Sequence, residues 1–396
     1  MKSLYLSLTL LLLSSGELLH AISPQEAADA ILGRNGERLI TEMERNARDL
    51  ETMTIANAPD PEIEGDYLVA PAGEKDRWGV GINYEIDWPG VYKARRDLGR
   101  AMREENLAES NETIYNKYFE ILSEIGRYIY TGRRLTVMQG ILAVTDSLQQ
   151  ATEKGFRGGQ MSRLDMTKVS LERGKVKAAI AALMAEKKEA EGRLKSLNGG
   201  YGCLPLLESI DTKWEMTPVG SLDFYLSEAK MHPEMIRAAA EFSVAGRNVG
   251  VARAEGLPGF KIGYAHEFEE GMHFNGANLG ISIPIFSNRG KVKAAEAEKS
   301  VAEYRMTLTS DRIESEITSL YDELQLLDQS LEVPKKVFEE TDYNTLLLKA
   351  YKGGELSMID YLQERTWFYE SHLEYLDLQY QREQKMWVLN LLSKKF

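Results

Sequence analysis

A single cysteine, Cys203, occurs in 396 residues, so no intramolecular disulfide can hold the chain together. Long apolar runs are equally scarce. Beyond Leu4 to Leu13, no stretch approaches the roughly 20 residues of a membrane-spanning helix, so any passage through a bilayer falls to strands. Positive charge is in deficit, with 48 Lys and Arg against 61 Asp and Glu and a net charge of −13. A general nucleic-acid binder needs a basic face, and that class is excluded. No nucleophile elbow, phosphate-binding loop or dinucleotide fingerprint is present, and Cys203 lies in no catalytic pattern. The composition points away from an enzyme, and no cofactor is expected.

What is present begins with "MKSLYLSLTLLLLSSGELLHA", in which Lys2, an apolar run and Ala21 read as a secretory signal peptide over residues 1–21. No cysteine follows the cleavage region, so a lipid-anchored N-terminus is not expected. A thiol-poor exported chain suits an oxidising envelope compartment.

The chain is also written twice. "FRGGQMSRLD" (156–165) returns as "YKGGELSMID" (351–360), each with an aromatic, a base, Gly-Gly, Ser and Asp at matched positions. "NGERL" (35–39) faces "HPEMI" (232–236), Pro61 faces Pro258, and "VGINYEIDWPGVYKA" (80–94) faces "LGISIPIFSNRGKVKA" (279–294). Two tandem units follow, 22–197 and 221–396, around a Gly- and Pro-bearing connector at 198–220.

Each unit predicts a short helix, a strand pair and a long helical hairpin. In the first, Ser23-Pro24-Gln25-Glu26 reads as N-cap, N1 proline and capping-box acid. The strand pairs fall at about 62–88 and 259–286, joined by polar loops at 70–77 and 269–276. Trp78, Val80, Ile82, Tyr84, Ile86 and Trp88 alternate with Gly79, Gly81, Asn83, Glu85 and Asp87. Phe260, Ile262, Tyr264, His266 and Phe268 repeat the pattern, followed by Leu279, Ile281, Ile283 and Ile285. The hairpins cover about 92–197 and 291–394. Ile313, Ile317, Leu320, Leu324, Leu327 and Leu331 form a coiled-coil seam, as do Ile114, Tyr118, Ile121, Ile125 and Tyr128. Pro334 predicts an interruption of the second rod. Gly158-Gly159 and Gly353-Gly354 read as helix stops. Ser162 with Asp165, and Ser357 with Asp360, read as the starts of helices 162–197 and 357–394. The repeated decapeptide is therefore a hairpin tip.

Strands of this length and alternation suit a membrane barrel. Four per chain cannot close one, and an open edge is not tolerated in lipid, so copies must share a barrel; three copies would supply 12 strands. The competing reading is a soluble half-buried sheet. Trp78 and Trp88 fit two interfacial girdles and favour the membrane.

The whole mature chain resembles the TolC-like outer-membrane efflux proteins. The duplicated strand–strand–hairpin unit carries the likeness, with "HPEMIRAAAE" (232–241), "LPGFKIGY" (257–264), "LGISIPIFSNRGKVKAAEAE" (279–298) and "YKGGELSMIDYLQ" (351–363). The resemblance implies a mostly α chain with a small β part. It further implies a homotrimer with a 12-stranded outer-membrane β-barrel, four strands per chain, continuing into a long periplasmic α-helical barrel. A periplasmic adaptor and an inner-membrane pump are the implied partners, with outer-membrane lipid around the strands. The membrane-strand aromatics are then Trp78, Tyr84, Trp88, Phe260 and Tyr264. The tunnel-tip gate falls on Tyr351 and Asp360, with Gln363 where some members carry a second acid and Leu356 where some carry a base. Adaptor contacts fall on Phe156, Gly158, Gly159, Ser162, Asp165, Gly353, Gly354 and Ser357. Asp165 and Asp360 each carry a second reading, as helix caps only.

The implied activity is a passive efflux duct for metal cations or small toxic organics; "YEIDWPGVYKARR" (84–96) resembles the heavy-metal branch slightly more. The alternative is a soluble periplasmic coiled-coil or adaptor-like protein. "HEFEEGMH" (266–273) lacks the helical spacing of a zinc motif and reads as a strand end and loop, so no metal site is expected. Met161, Met166 and Met358 near the tips read as filling. The aromatics of the last helix, Trp367, Phe368, Tyr369, Tyr375, Tyr380 and Trp387, read as wall packing.

Overall fold

The computed structural model describes residues 22–71, 73–210, 217–340 and 342–393, without the side chains of 339, 340, 358 and 359. The leader, part of the connector and the last three residues lie outside that set, as does the side chain of Met358. Packing groups the chain into two compact units: residues up to Asn35 with Ile121–Glu215, and Gly36–Glu120 with Met216–Phe396.

In the first unit, α1 (Pro24–Leu32) opens with a complete capping box between Ser23 and Glu26. It buries Ala27, Ala28 and Ile31, and it packs against α4 (Arg163–Leu197), which buries Ala190 and Leu194. Asn35 donates to the Leu197 carbonyl at 2.7 Å, tying the end of α1 to the end of α4. The C-terminal part of α3 (Pro89–Arg157) lies in this unit. Arg127 reaches Glu186 and Glu189 on α4, Arg173 of α4 pairs with Asp146, and the Lys187 ammonium sits 4.5 Å from the Tyr128 ring centre. The short α5 (Leu204–Glu208) follows α4; Cys203 just before it is free and buried.

The 69-residue α3 spans about 100 Å at 1.5 Å per residue. Pro89 starts it, and the seam residues Tyr118, Ile121, Ile125 and Tyr128 are buried along it.

The second unit holds α2 (Gly36–Thr54), β1 (Glu62–Leu68), β2 (Arg77–Ile86), α6 (Leu222–Glu228), α7 (Pro233–Ala254), β3 (Gly259–Glu269) and β4 (Met272–Ser282). It continues with α8 (Lys291–Lys335), α9 (Tyr343–Lys352) and α10 (Met358–Leu392). Two helices, not one, therefore precede each strand pair. The strands form one antiparallel sheet in the order β1-β2-β3-β4. The second loop is shorter than the sequence suggests. A two-residue turn, Glu270-Gly271, with φ of 51° and 87°, joins β3 to β4, so His273 to Gly276 are strand. Ile283 and Ile285 lie beyond β4.

Ile313, Ile317 and Leu324 of α8 pack with Met386, Leu389 and Leu392 of α10 and with Tyr225 and Ala229, so the heptad seam is a helix-helix core. The rod stops as Pro334 requires. A π-helical turn, Lys336–Glu340, follows α8, and Asp342 caps α9 by accepting from the Thr345 amide at 3.1 Å. Phe338 of that turn stacks on His372 (4.8 Å) and Tyr375 (5.2 Å) of α10, while Tyr343 stacks on Phe368 (4.7 Å). Five of the six α10 aromatics are buried or half-buried within the chain, and Trp367 is 59% exposed.

Two buried polar groups tie this unit together. Arg382, 2% exposed, donates to Asp328 (2.9 Å), Glu383 (2.8 Å) and the Thr217 carbonyl (2.6 Å). His232 is the N-cap of α7: its Nδ1 accepts from the Glu234 amide at 3.3 Å, so its Nε2–H faces the Tyr115 hydroxyl at 3.1 Å. Burial pushes the His232 imidazole below its ordinary value of 6.5. The unfolded chain therefore takes up this proton first as pH falls, and the stability present above that value is lost below it. The thermal midpoint is expected to drop between pH 7.5 and 5.5 more steeply in the wild type than in His232→Asn, which keeps a capping acceptor but does not titrate; equal slopes would remove His232 as the cause.

Candidate functional site

The sheet divides its side chains between a mainly apolar and a mainly charged face. Cross-strand register places Ile63 and Tyr67 with Ile82 and Trp78, then with Tyr264 and Phe268, then with Ala277 and His273. Val80, Tyr84, Ile86, Phe260, Ile262, His266, Asn275, Leu279 and Ile281 share that face. Much of it is exposed: Leu279 by 82%, Ile281 by 66%, Tyr264 by 51%. A soluble sheet would bury such a face against a core. Trp78 stacks on Phe268 at 5.9 Å near the turn end, and Trp88 on Phe260 at 5.5 Å near the helical end. Trp88 lies two residues past the end of β2 and ten positions from Trp78, roughly 33 Å for a fully extended stretch. At the 35–45° tilt of membrane barrels this projects to about 25 Å, the height of their apolar band.

The opposite face carries Glu62, Glu64, Asp66, Glu85, Glu267 and Glu269 against Arg77 and Lys261. Arg77 bridges Glu267 (2.9 Å) and Glu269 (3.5 Å), and Asn83 donates to Glu64 at 2.9 Å. Glycine leaves room for these polar groups. A Cβ on Gly79 would stand 2.5 Å from an Asp66 oxygen, and one on Gly263 2.3 Å from the Asn83 amide oxygen. Where strands meet helices, Arg95 joins Asp87 (2.9 Å) to Glu255 (3.2 Å), and Lys291 reaches Glu255 at 3.4 Å.

The tip in the first unit ends α3 with a Schellman turn: the Gln160 amide donates to the Gly155 carbonyl at 2.8 Å, and Gly159 has φ of 71°. Ser162 and Asp165 form a reciprocal capping box, and the Ser162 hydroxyl and then its amide hold the Asp165 carboxyl below its ordinary value. Phe156 is exposed. Met161 packs on Gly155, where a Cβ would meet it at 2.7 Å.

The tip in the second unit repeats the stop. The Glu355 amide donates to the Ala350 carbonyl at 3.0 Å, and Gly354 has φ of 78°. Its start is simpler, with the Asp360 amide donating to Ser357 Oγ at 3.1 Å and that hydroxyl donating to the Asp360 carboxylate at 2.6 Å. Tyr351 stacks on buried Tyr361 at 5.1 Å, while Asp360 and Gln363 are exposed. Arg365, which the motif reading passed over, bonds the hydroxyls of Tyr361 (3.3 Å) and Tyr369 (3.1 Å); the 361/365/369 spacing is the only sequence signal for it. Among the described residues no group of three or more His, Cys, Asp or Glu is placed to hold a metal, and no helix is long and apolar enough to cross a membrane.

The two glycines of each tip are not equivalent. Gly158 and Gly353 have negative φ, and Gly353 is αR, whereas Gly159 and Gly354 are left-handed. Gly159→Ala and Gly354→Ala are each expected to cost about 1–2 kcal/mol. Gly158→Ala is expected to cost well under half of that, read from thermal midpoints.

No protein-family model matches the chain, and no curated protein matches it in sequence. Solved structures do match. A membrane protein from Pseudomonas aeruginosa superposes with a TM-score of 0.74 at 17% identity, over 93% of this chain and 92% of that one. CusC, described in connection with transmembrane channel formation, gives 0.72 at 16% identity, over 96% and 94%. The open-state MtrE outer membrane channel of Neisseria gonorrhoeae gives 0.70 at 16%, over 96% and 93%. On these likenesses, which run nearly end to end on both sides, the chain has the fold of the TolC-like outer-membrane channels.

Proposed function

We propose that this protein is the outer-membrane channel of a tripartite efflux system. Three copies would close a 12-stranded barrel through β1 and β4, and their hairpins would build a periplasmic tunnel. The observation that carries the reading is the four-stranded sheet, apolar and exposed on one face, bounded by aromatic stacks and open at both edges. Substrate would arrive from an inner-membrane pump through a periplasmic adaptor seated on the tips around Phe156–Asp165 and Gly353–Ser357. No bond chemistry is asked of this chain. The acidic polar face would line the lumen and favour cations weakly, which suits metal cations over anionic organics.

Tyr351 and Asp360 would restrict the tunnel mouth, a role for Asp360 beyond holding Ser357. The protein is expected to fractionate with the outer membrane and to run as a heat-dissociable trimer; a soluble monomer in the periplasmic fraction overturns the proposal. In planar bilayers, Tyr351→Ala with Asp360→Ala is expected to raise conductance several-fold, and a salt gradient to give a cation-selective reversal potential. Unchanged conductance, together with a stability loss of about 1 kcal/mol in Asp360→Ala, would leave Asp360 as a cap alone.

A further inference from the structure

The sequence separates His266 from His273 by a spacing that suits no helical metal motif, but the tight Glu270-Gly271 turn removes that separation. His266 of β3 pairs in register with Asn275, and His273 of β4 with Phe268, so the two imidazoles are diagonal neighbours on one face. His273 Nδ1 stands 3.3 Å from His266 Nε2, with ring centres 5.3 Å apart. We infer that this pair is a binding site for an imidazole-preferring divalent transition cation, nickel, zinc or copper, held at the turn end of the sheet. The inference does not depend on the efflux reading.

Three features support it. Two imidazole nitrogens bound to one tetrahedral ion at about 2.0–2.1 Å stand about 3.4 Å apart, so the observed separation already matches a ligand edge. The outer partner is also in place. His266 Nδ1 lies 2.7 Å from the Asn275 Oδ1, which also accepts from the Tyr264 hydroxyl at 2.9 Å. An acceptor there fixes the proton on Nδ1 and leaves the Nε2 lone pair aimed toward His273, the second-shell arrangement of metal-bound histidines. Finally, Trp78 packs 5.5 Å from His266, an aromatic flank on the ring whose tautomer is fixed, and Phe268 lies 5.1 Å from His273. His273 is exposed, so a turn about χ2 brings its lone pair to the shared position. Two protein ligands leave the remaining positions to water or an anion, which gives an exchangeable ion that clamps β3 to β4.

The test is calorimetric titration of the untagged, detergent-solubilised protein with nickel sulfate, zinc chloride and copper chloride, with magnesium chloride as the oxygen-preferring control. Saturable binding of one transition ion per chain is expected, with none for magnesium, and with weaker binding at pH 5.5 than at 7.5 because protonated imidazoles do not ligate. His266→Ala and His273→Ala are expected to abolish binding, Asn275→Ala to weaken it by roughly tenfold or more by releasing the tautomer, and His372→Ala to leave it unchanged. The bound ion should raise the thermal midpoint of the wild type and not that of His273→Ala, which also reports whether the variant folds. Absence of binding in the wild type, or binding that persists in His273→Ala, overturns the inference.

Discussion

Backbone groups along an unpaired strand edge have no partner in hydrocarbon, where each costs several kcal/mol. β1 and β4 are both such edges, and the eleven residues of β4 would leave a row of them. Within one chain nothing among the described residues pairs with either edge. The exposed apolar face makes the same demand from another direction, because water is a poor solvent for Leu279 and Ile281. An environment that accepts the face forbids the edges, and only closure with further strands satisfies both. The trimeric barrel proposed above would resolve that one conflict, because strands of further copies would cover both edges.

Closure also assigns the opposite face. If the apolar side meets lipid, the carboxylates must meet water, and between its aromatic girdles a barrel supplies water only inside. Gly79 and Gly263 fit that assignment, since they yield space on the inner face to Asp66 and Asn83. Arg77, held between Glu267 and Glu269, balances part of the acid near the turn end, and Arg95 does so where sheet passes to helix. Charge is thus neutralised locally at the two ends of the strands and left in excess between them.

The features that sequence made legible are those written in local chemistry. Alternation through 78–88 marks the strand and its faces, and Ser162-Asp165 and Ser357-Asp360 mark helix starts because capping needs a hydroxyl and an acid three residues on. Pro334 marks the break in the second rod. Features that depend on distant partners were not legible. Arg382 is buried because Asp328 and the Thr217 carbonyl, 54 and 165 residues away, reach it, whereas an arginine in a helix ordinarily reads as solvated. Asn275 and Gly276 read as turn formers, yet the turn needed two residues and the polar strand took the rest. Trp367 is exposed on its own chain, and helix aromatics alone do not say which sector of a helix has a neighbour. At the tips, the sequence marked the helix stops and starts, and the fold added that Tyr351 rests on Tyr361 and that Arg365 braces Tyr361.

Duplication gave the chain two hairpins, but they did not remain equal. The first is continuous: α3 runs 69 residues without a break, and its tip closes with a reciprocal capping box. In the second, a proline and a π turn divide the outgoing rod, and the tip is capped by the single Ser357–Asp360 arrangement. Helical hydrogen bonds resist bending wherever the ladder is unbroken, so a change in the path of a rod costs least where the ladder is already open. That place lies between Lys335 and Tyr343, on the rod that leads to Tyr351 and Asp360. Phe338 and Tyr343 stack against α10 on either side of the opening. Stacked rings can slide at small cost while they stay in contact, whereas an unbroken helix must lose hydrogen bonds to bend. The two hairpins thus differ in one physical respect: the outgoing rod of the second is interrupted after Pro334, whereas α3 is not interrupted.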